Sequence, residues 1–291
     1  MIFQGGILGN HTLGFEYCSL STDMLKKFNN TIQHAEVKFV CGYFATSWKQ
    51  SSQYTEDIWY QAYKDGLAIG DWFHTSCAAA GIVQSMFMRG VDFETISEKI
   101  EEFRVVLKNI GLEEQWGAIQ SVKQAILNLQ EKTLSPLYFD SKNFNETDYV
   151  QSLEKYNSKH FAHYYFINKL ITLYIHQEYQ EAFKVSNLGK SFASSSKGML
   201  HNTEHLFYEA LTLAQLYKDE GLVNRIKYKT VIYQTIQKFK KYSSDCSENF
   251  IVRKYILQGE LSRVNNNFNE AINFMNRQIV VPRYIYKQIY K

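Results

Sequence analysis

The chain has very little proline: only Pro136 and Pro282 occur among its 291 residues. Proline interrupts helices, and sandwiches or barrels with many turns usually contain more of it, so this scarcity favours long helices. The chain also has no uninterrupted apolar run of about 18 residues, which a helix needs to cross a membrane. The sequence therefore predicts an all-α protein with no membrane span.

Cysteine is scarce as well: Cys18, Cys41, Cys77 and Cys246 lie far apart, and no C-x-x-C pair occurs. Sparse cysteines in a chain of this size are typical of reduced, intracellular proteins. The apolar neighbours of each cysteine predict small buried side chains. Residues 1–10 have neither the basic start nor the long apolar segment of a signal peptide. These absences predict reduced thiols and a cytoplasmic location.

Neither sign of charge dominates the chain. It carries 32 basic and 29 acidic residues, a formal net charge of +3. A balance this close to zero does not indicate a nucleic-acid-binding protein. We expect no nucleic-acid partner, and no nucleic-acid affinity that survives physiological salt.

Apolar residues recur at steps of three and four along most of the chain, which is the period of an amphipathic helix. Gly70, Gly90 and Gly111 are predicted to end helices in the left-handed conformation. Asp71 and Asp92 are predicted to cap the helices that follow. The predicted helices cover residues 35–48, 58–69, 72–88, 93–109, 156–177, 179–192, 201–217, 223–242, 249–265 and 269–287, with a further apolar helix after Gly111.

The helices come in pairs. Those ending at Gly70 and Gly111 are each followed by a polar stretch and a fresh apolar helix, and their spacing falls within the roughly 34 to 47 residues of tetratricopeptide and HEAT repeats. We predict an all-α solenoid of antiparallel helix pairs with an open concave groove. Residues 1–133 would form N-terminal repeats, 134–155 an insertion or linker, and 156–291 C-terminal tetratricopeptide-like repeats.

The most specific repeat pattern lies in the last predicted pair. Small residues on its two helices, Gly259 and Ala271, would let them approach closely, and Phe268 would fill the turn. Residues 178–182 repeat the turn followed by an alanine. The positions that fall at the tetratricopeptide spacing are Tyr255, Gly259, Asn266, Phe268 and Ala271.

Longer stretches resemble one family in particular. They are residues 207–211, 239–242, 246–250 and 255–263, together with residues 62–71, which are similar to that family's A-x-x-x-G-L-x-x-G-D stretch. The chain resembles, over about residues 14–279, the helical region of large multi-domain signalling proteins, mostly bacterial. In these, serine/threonine-kinase-like and AAA-type ATPase domains precede the helical region, and GAF and histidine-kinase domains follow it.

The resemblance implies a non-enzymatic scaffold for protein–protein interaction in signal transduction. Its partners would be another protein or the neighbouring ATPase and kinase modules. An alternative is a regulatory sensor that binds a peptide or small ligand, and a third is an all-α enzyme with a site across the groove. Tyr164, Tyr208 and Tyr255 would either anchor a partner in the groove or belong to the core.

Catalytic motifs are absent. The sequence has no glycine-rich kinase loop, H-R-D, D-F-G or complete P-loop. Residues 189–191 read Gly-Lys-Ser, but Lys184 stands where a P-loop needs its first glycine, so we predict a helix C-terminus there. We predict no enzymatic activity, no catalytic residues and no cofactor.

Two loose histidine pairs could share a helix face. His201 and His205 are four residues apart, and His160 and His163 three apart, but neither pair makes H-E-x-x-H or has a cysteine or carboxylate cluster at ligand spacing. We predict structural histidines and no metal site.

One predicted helix is strongly basic, with six basic and no acidic residues between Gly221 and Ser244. A helix with this charge can bind phosphates or an acidic partner, or its basic residues can simply form a solvated face. The candidate interaction residues are Arg225, Lys227, Lys229, Lys238, Lys240 and Lys241.

Overall fold

The computed structural model describes residues 2–27, 32–155 and 159–278. Within these ranges the fold is all-helical, and its extended pairing is limited to two isolated bridges. The α-helices are α1 (His11–Lys27), α2 (His34–Phe44), α3 (Ser52–Ile69), α4 (Trp72–Arg89), α5 (Phe93–Ile110), α6 (Glu113–Leu129), α7 (Glu146–Lys155), α8 (Lys159–Ile175), α9 (Tyr179–Lys190), α10 (His201–Leu216), α11 (Leu222–Asp245), α12 (Ser247–Val264) and α13 (Phe268–Gln278).

The helix ends predicted at three glycines and the caps predicted at two aspartates are confirmed, although the helix predicted from residue 58 already begins at Ser52. Gly70, Gly90 and Gly111 end α3, α4 and α5 with φ of 78°, 72° and 74°. The Asp71 carboxylate accepts a hydrogen bond from the His74 backbone at 3.2 Å, and that of Asp92 accepts one from Thr95 at 2.8 Å. These caps fix where α4 and α5 begin. The predicted ends at 156–158 and 279–287 lie outside the described residues.

Helices α4, α8 and α10 are buried almost all round. Each has thirteen buried residues, and in α4 these run without interruption from Thr75 to Phe87. Small side chains at residues 77–81 of α4 leave room for neighbours on every side, as the apolar composition of this segment predicts. These three helices are therefore the centre of the fold.

The helices are arranged in two rows. Helices α2, α4, α6, α8, α10 and α12 form an inner row in which each contacts the next, and α3, α5, α9, α11 and α13 pack against it. Within the described residues α4 also contacts α10, which lies further along the same row. The open groove along the stack stays a prediction. Tyr164 and Tyr208 are core residues, 2% and 8% exposed, and Tyr255 is half-buried beside Phe274.

Buried polar side chains tie the inner row together. The side-chain amides of Gln84 in α4 and Asn168 in α8 exchange two hydrogen bonds of 2.8 and 3.0 Å. Asn168 also donates to the Ser121 hydroxyl in α6 at 2.9 Å. The hydroxyls of Tyr43 and Tyr164 lie 2.6 Å apart and join α2 to α8. These five buried side chains are thus paired with one another, which sets the register of four helices.

The main hydrophobic core runs from Tyr43 to Val264 and includes residues on both sides of the segment 134–155. That segment is turn-rich up to residue 145 and ends in α7. It is docked on α8 through Glu146, whose carboxylate accepts hydrogen bonds from Tyr165 at 2.8 Å and from Lys169 at 2.6 Å. The segment predicted as an insertion or linker is thus packed against α8.

The last helix pair bears out one part of its predicted signature and corrects another. A Cβ at Gly259 would lie 3.0 Å from Met275 and 3.5 Å from the Ala271 carbonyl, so the helices do approach closely there. Phe268, however, is 56% exposed and does not fill the turn. Asn266 makes the turn with φ of 62°, as Gln177 does with 63° before α9, so the turn repeats but its aromatic residue faces out.

The thiol prediction is half right. All four cysteines are buried, but Cys18 and Cys41 form a disulfide between α1 and α2, with Cα atoms 5.5 Å apart. Cys77 and Cys246 are free. The pairing was not predicted because α1 was not predicted: its few buried residues give a weak helical pattern. No described helix is both long and apolar enough to cross a membrane.

Candidate functional site

The basic helix α11 lies on the outside of the fold, packed on α10 and α12. Its buried face consists of Tyr228, Ile232, Ile236 and Phe239, which follow helical spacing. The six basic residues lie on the remaining faces, and the structure divides them into three groups with different surroundings.

Arg225 and Lys229 hold the turn that precedes α11. The Arg225 guanidinium donates to the backbone carbonyls of Tyr217 at 3.1 Å and Lys218 at 2.5 Å. Its central carbon lies 5.4 Å from the Tyr217 ring, and the Lys229 ammonium lies 5.2 Å from the same ring. The two contacts with the Tyr217 ring are cation–π pairs within the chain. They leave Arg225 and Lys229 less free to bind a partner.

An exposed apolar stripe runs beside the other lysines of α11. Leu222, Val223, Ile226 and Tyr233 are 78%, 68%, 67% and 56% exposed. Leu222, Ile226 and Tyr233 recur at helical spacing on one side of the helix. We call these four residues, with the exposed Lys227 and Lys240, the α11 outer face. The stripe could not be recognised from the sequence because α11 carries two apolar faces, and helical spacing does not say which of them packs on the core.

Lys238 and Lys241, one turn apart near the end of α11, line a cleft of about 660 Å³. Its other walls are the N-terminal turn at residues 6–9 and the segment that carries Lys197. We call this space the lysine cleft. No carboxylate is among the described residues that line it.

Aromatic rings and a paired histidine form one side of the lysine cleft. The His11 ring stacks on Trp48 with centroids 4.2 Å apart. His11 Nδ1 lies 2.8 Å from the Asp245 carboxylate, whose other oxygen accepts from Lys49 at 3.0 Å. Burial lowers the pKa of His11, against the pull of Asp245. Burial alone would raise the pKa of Asp245, but the hydrogen bonds from His11 and Lys49 hold it below its usual value.

A second cleft, of about 450 Å³, lies between the end of α4 and the start of α12. Both arginines that line it are paired with a carboxylate. Arg253 Nε lies 2.8 Å from the carboxylate of Glu204, and the guanidinium donates to the carbonyls of Asn249 and Met88 at 3.0 Å each. Arg89 makes two 2.8 Å hydrogen bonds with Glu56. Its arginines therefore serve in contacts between helices.

The two predicted histidine pairs come together in the core between α8 and α10. His163 Nε2 lies 2.8 Å from His205 Nδ1, and the rings of His163 and His201 are 5.7 Å apart. Burial lowers the pKa of His160 to about 4 and that of His163 to about 3. It also lowers the pKa of His201 and of His205.

Among the described residues no three histidine, cysteine or carboxylate side chains are arranged to hold a metal ion. The histidine cluster is thus a buried neutral group in the core. The Gly-Lys-Ser segment is the end of α9, as predicted, and Lys190 pairs with Glu209 at 2.5 Å.

Comparisons with protein families, curated proteins and solved structures find no match to this chain. The resemblance to signalling proteins therefore stays a prediction, and the functional argument depends on the geometry of α11 and its surroundings.

Proposed function

We propose that this chain is a non-enzymatic, tetratricopeptide-like scaffold that binds an acidic amphipathic segment of a protein partner on the α11 outer face. The observation that carries the proposal is the exposed apolar stripe Leu222, Ile226 and Tyr233 between lysines, on a helix with no acidic residue before Asp245. Single exposed apolar residues are ordinary, whereas several aligned on one helix mark an interaction surface.

The chemistry of this face selects the partner. Apolar residues that recur along a helix receive the apolar side of another helix, and Tyr233 supplies an aromatic anchor of the kind that dominates binding energies. Lys227 and Lys240 would attract glutamate and aspartate at the rim, which favours an acidic segment and raises the association rate.

The paired helices, the two rows and the repeated turn at Gln177 and Asn266 support the tetratricopeptide-like part of the proposal. The scaffold would act in the cytoplasm within a signalling assembly. Its partner segment would belong to a separate protein or to a neighbouring ATPase or kinase module.

A peptide-display selection tests this proposal. The library contains amphipathic helices with either acidic or basic flanks, and we expect the wild-type chain to enrich the acidic set. Replacing Ile226 and Tyr233 together by alanine should weaken the selected peptides by at least about tenfold, because the apolar anchors are lost. Fluorescence anisotropy gives the affinities.

Two further variants make the result specific. Leu188→Ala removes an exposed apolar residue from α9, 58% exposed, and should leave the affinity unchanged. Exchanging Lys227 and Lys240 for glutamate should shift the selection toward basic peptides. Enrichment without regard to charge, or binding that survives the loss of Ile226 and Tyr233, would exclude the α11 outer face.

A further inference from the structure

Three lysines from two distant parts of the chain line the lysine cleft. Lys238 and Lys241 extend from α11, and Lys197 comes from the turn before α10. All three side chains are exposed, and their ammonium groups have no acceptor among the described residues. Like charges gathered without a counter-charge repel one another, so the arrangement favours a bound anion.

The backbone fixes the position of Lys197 opposite α11. Gly198 has φ of 80°, and a Cβ at this position would overlap the backbone of Gly6. The Trp48 indole donates to the Gly198 carbonyl at 2.9 Å. The 197–198 turn is therefore held against the N-terminal turn, and the spacing across the cleft does not depend on the lysine side chains alone.

The nearest acidic side chain does not neutralise the cleft. Asp245 is already paired with His11 and Lys49, which together carry at least as much positive charge as the carboxylate carries negative charge. His11 itself lines the cleft, and its Nδ1 is committed to Asp245. Asp245 therefore does not cancel the positive electrostatic potential that Lys197, Lys238 and Lys241 create in the cleft.

We propose that the lysine cleft binds a small phosphate-bearing anion with two or more negative charges. Lysine binds phosphate as a compact point charge, and three ammonium groups match the oxygens of a di- or triphosphate better than a single carboxylate. The cleft volume, about 660 Å³, is within the range of sites for small molecules.

This inference is independent of peptide binding to the α11 outer face. It uses the C-terminal turns of α11, whereas the apolar stripe lies in its N-terminal half. A phosphate ligand would bridge α11, the N-terminal turn and the turn before α10. Binding would thereby give the scaffold the sensitivity to a small ligand that defines a regulatory sensor.

Calorimetric titration of the full chain with inorganic pyrophosphate at low salt tests the proposal. We expect saturable binding that weakens as salt rises, together with a higher melting temperature at saturating ligand. Replacing Lys238 and Lys241 by glutamine should reduce the affinity by at least about tenfold, because two of the three charged contacts are removed. Adenosine triphosphate in place of pyrophosphate distinguishes an organic phosphate from the inorganic ion.

The matched control exchanges Lys227 and Lys240 for glutamine on the same helix. This changes the net charge equally but lies outside the cleft, so pyrophosphate affinity should be unchanged. A Lys197→Gln variant should lose affinity from the opposite wall, and circular dichroism verifies that each variant is folded. Absence of binding at millimolar pyrophosphate, equal losses in the control, or equal binding of citrate would overturn the proposal.

Discussion

Replacement of Arg253 by alanine should lower the free energy of unfolding by about 3–5 kcal/mol, the range for breaking one side of a buried ion pair. Arg253 is 13% exposed at its side chain and Glu204 only 4%. Burial raises the pKa of Glu204 even though Arg253 opposes that shift. Without the guanidinium, the carboxylate and the Asn249 and Met88 carbonyls would lose their shared partner.

Urea unfolding at neutral pH measures this loss. Arg104→Ala is the matched control, because Arg104 pairs with Glu101 at the exposed surface and should change the stability by no more than about 1 kcal/mol. Replacing Arg253 and Glu204 together by methionine should restore part of the stability, since no buried charge is left unpaired. If the free energy of unfolding of Arg253→Ala fell by less than about 1 kcal/mol, the contacts of Arg253 would not be what holds α10 and α12 to α4.

The contacts of Arg253 between helices also illustrate what local sequence patterns cannot reveal. Glycine and aspartate at residues 70–71, 90–92 and 111 predicted helix ends correctly, because capping depends on residues close in sequence. The contact of Arg253 with the Met88 carbonyl depends on how α12 packs against the end of α4. That packing joins residues far apart in sequence, so no short pattern encodes it.

The candidate site was predicted only in part. The six basic residues of α11 were found from composition, but their division among Tyr217, the outer face and the lysine cleft depends on tertiary contacts. Lys197 and His11 lie far from α11 in sequence, so no spacing rule joins them to Lys238. The periodic apolar residues within the basic helix were the one available signal for the outer face, but their spacing alone does not distinguish an exposed stripe from a core face.

The histidine cluster leads to the second large effect: acid should unfold the chain well above the pH at which its carboxylates titrate. His160 and His163, with pKa values of about 4 and about 3, stay neutral in the folded chain, whereas unfolded histidine takes up a proton near pH 6.5. Below that pH the unfolded state therefore binds more protons, and stability falls by about 1.4 kcal/mol per pH unit for each such histidine.

Between pH 7 and pH 5 these two histidines alone should remove roughly 4 kcal/mol, and His201 and His205, whose pKa values burial also lowers, should add to the loss. Nearby charges work in both directions: Glu209 raises the pKa of His205 and Lys190 lowers it. Glu204 opposes the trend. Its pKa is raised in the folded chain, so the folded state takes up a proton there before the unfolded state does, and this favours folding as the pH falls. Urea unfolding at a series of pH values gives the slope of the free energy of unfolding against pH.

His163→Gln assigns the slope to the cluster. Glutamine keeps a donor for His205 Nδ1 but takes up no proton, so the loss between pH 7 and pH 5 should shrink by about 2 kcal/mol. Ser186→Ala provides the comparison, because it removes the hydroxyl 3.0 Å from His205 and leaves all four histidines in place. Its stability should fall by the same amount at both pH values, since it disturbs packing without changing proton uptake. If His163→Gln instead keeps the wild-type slope, as Ser186→Ala should, the acid response does not arise from His163.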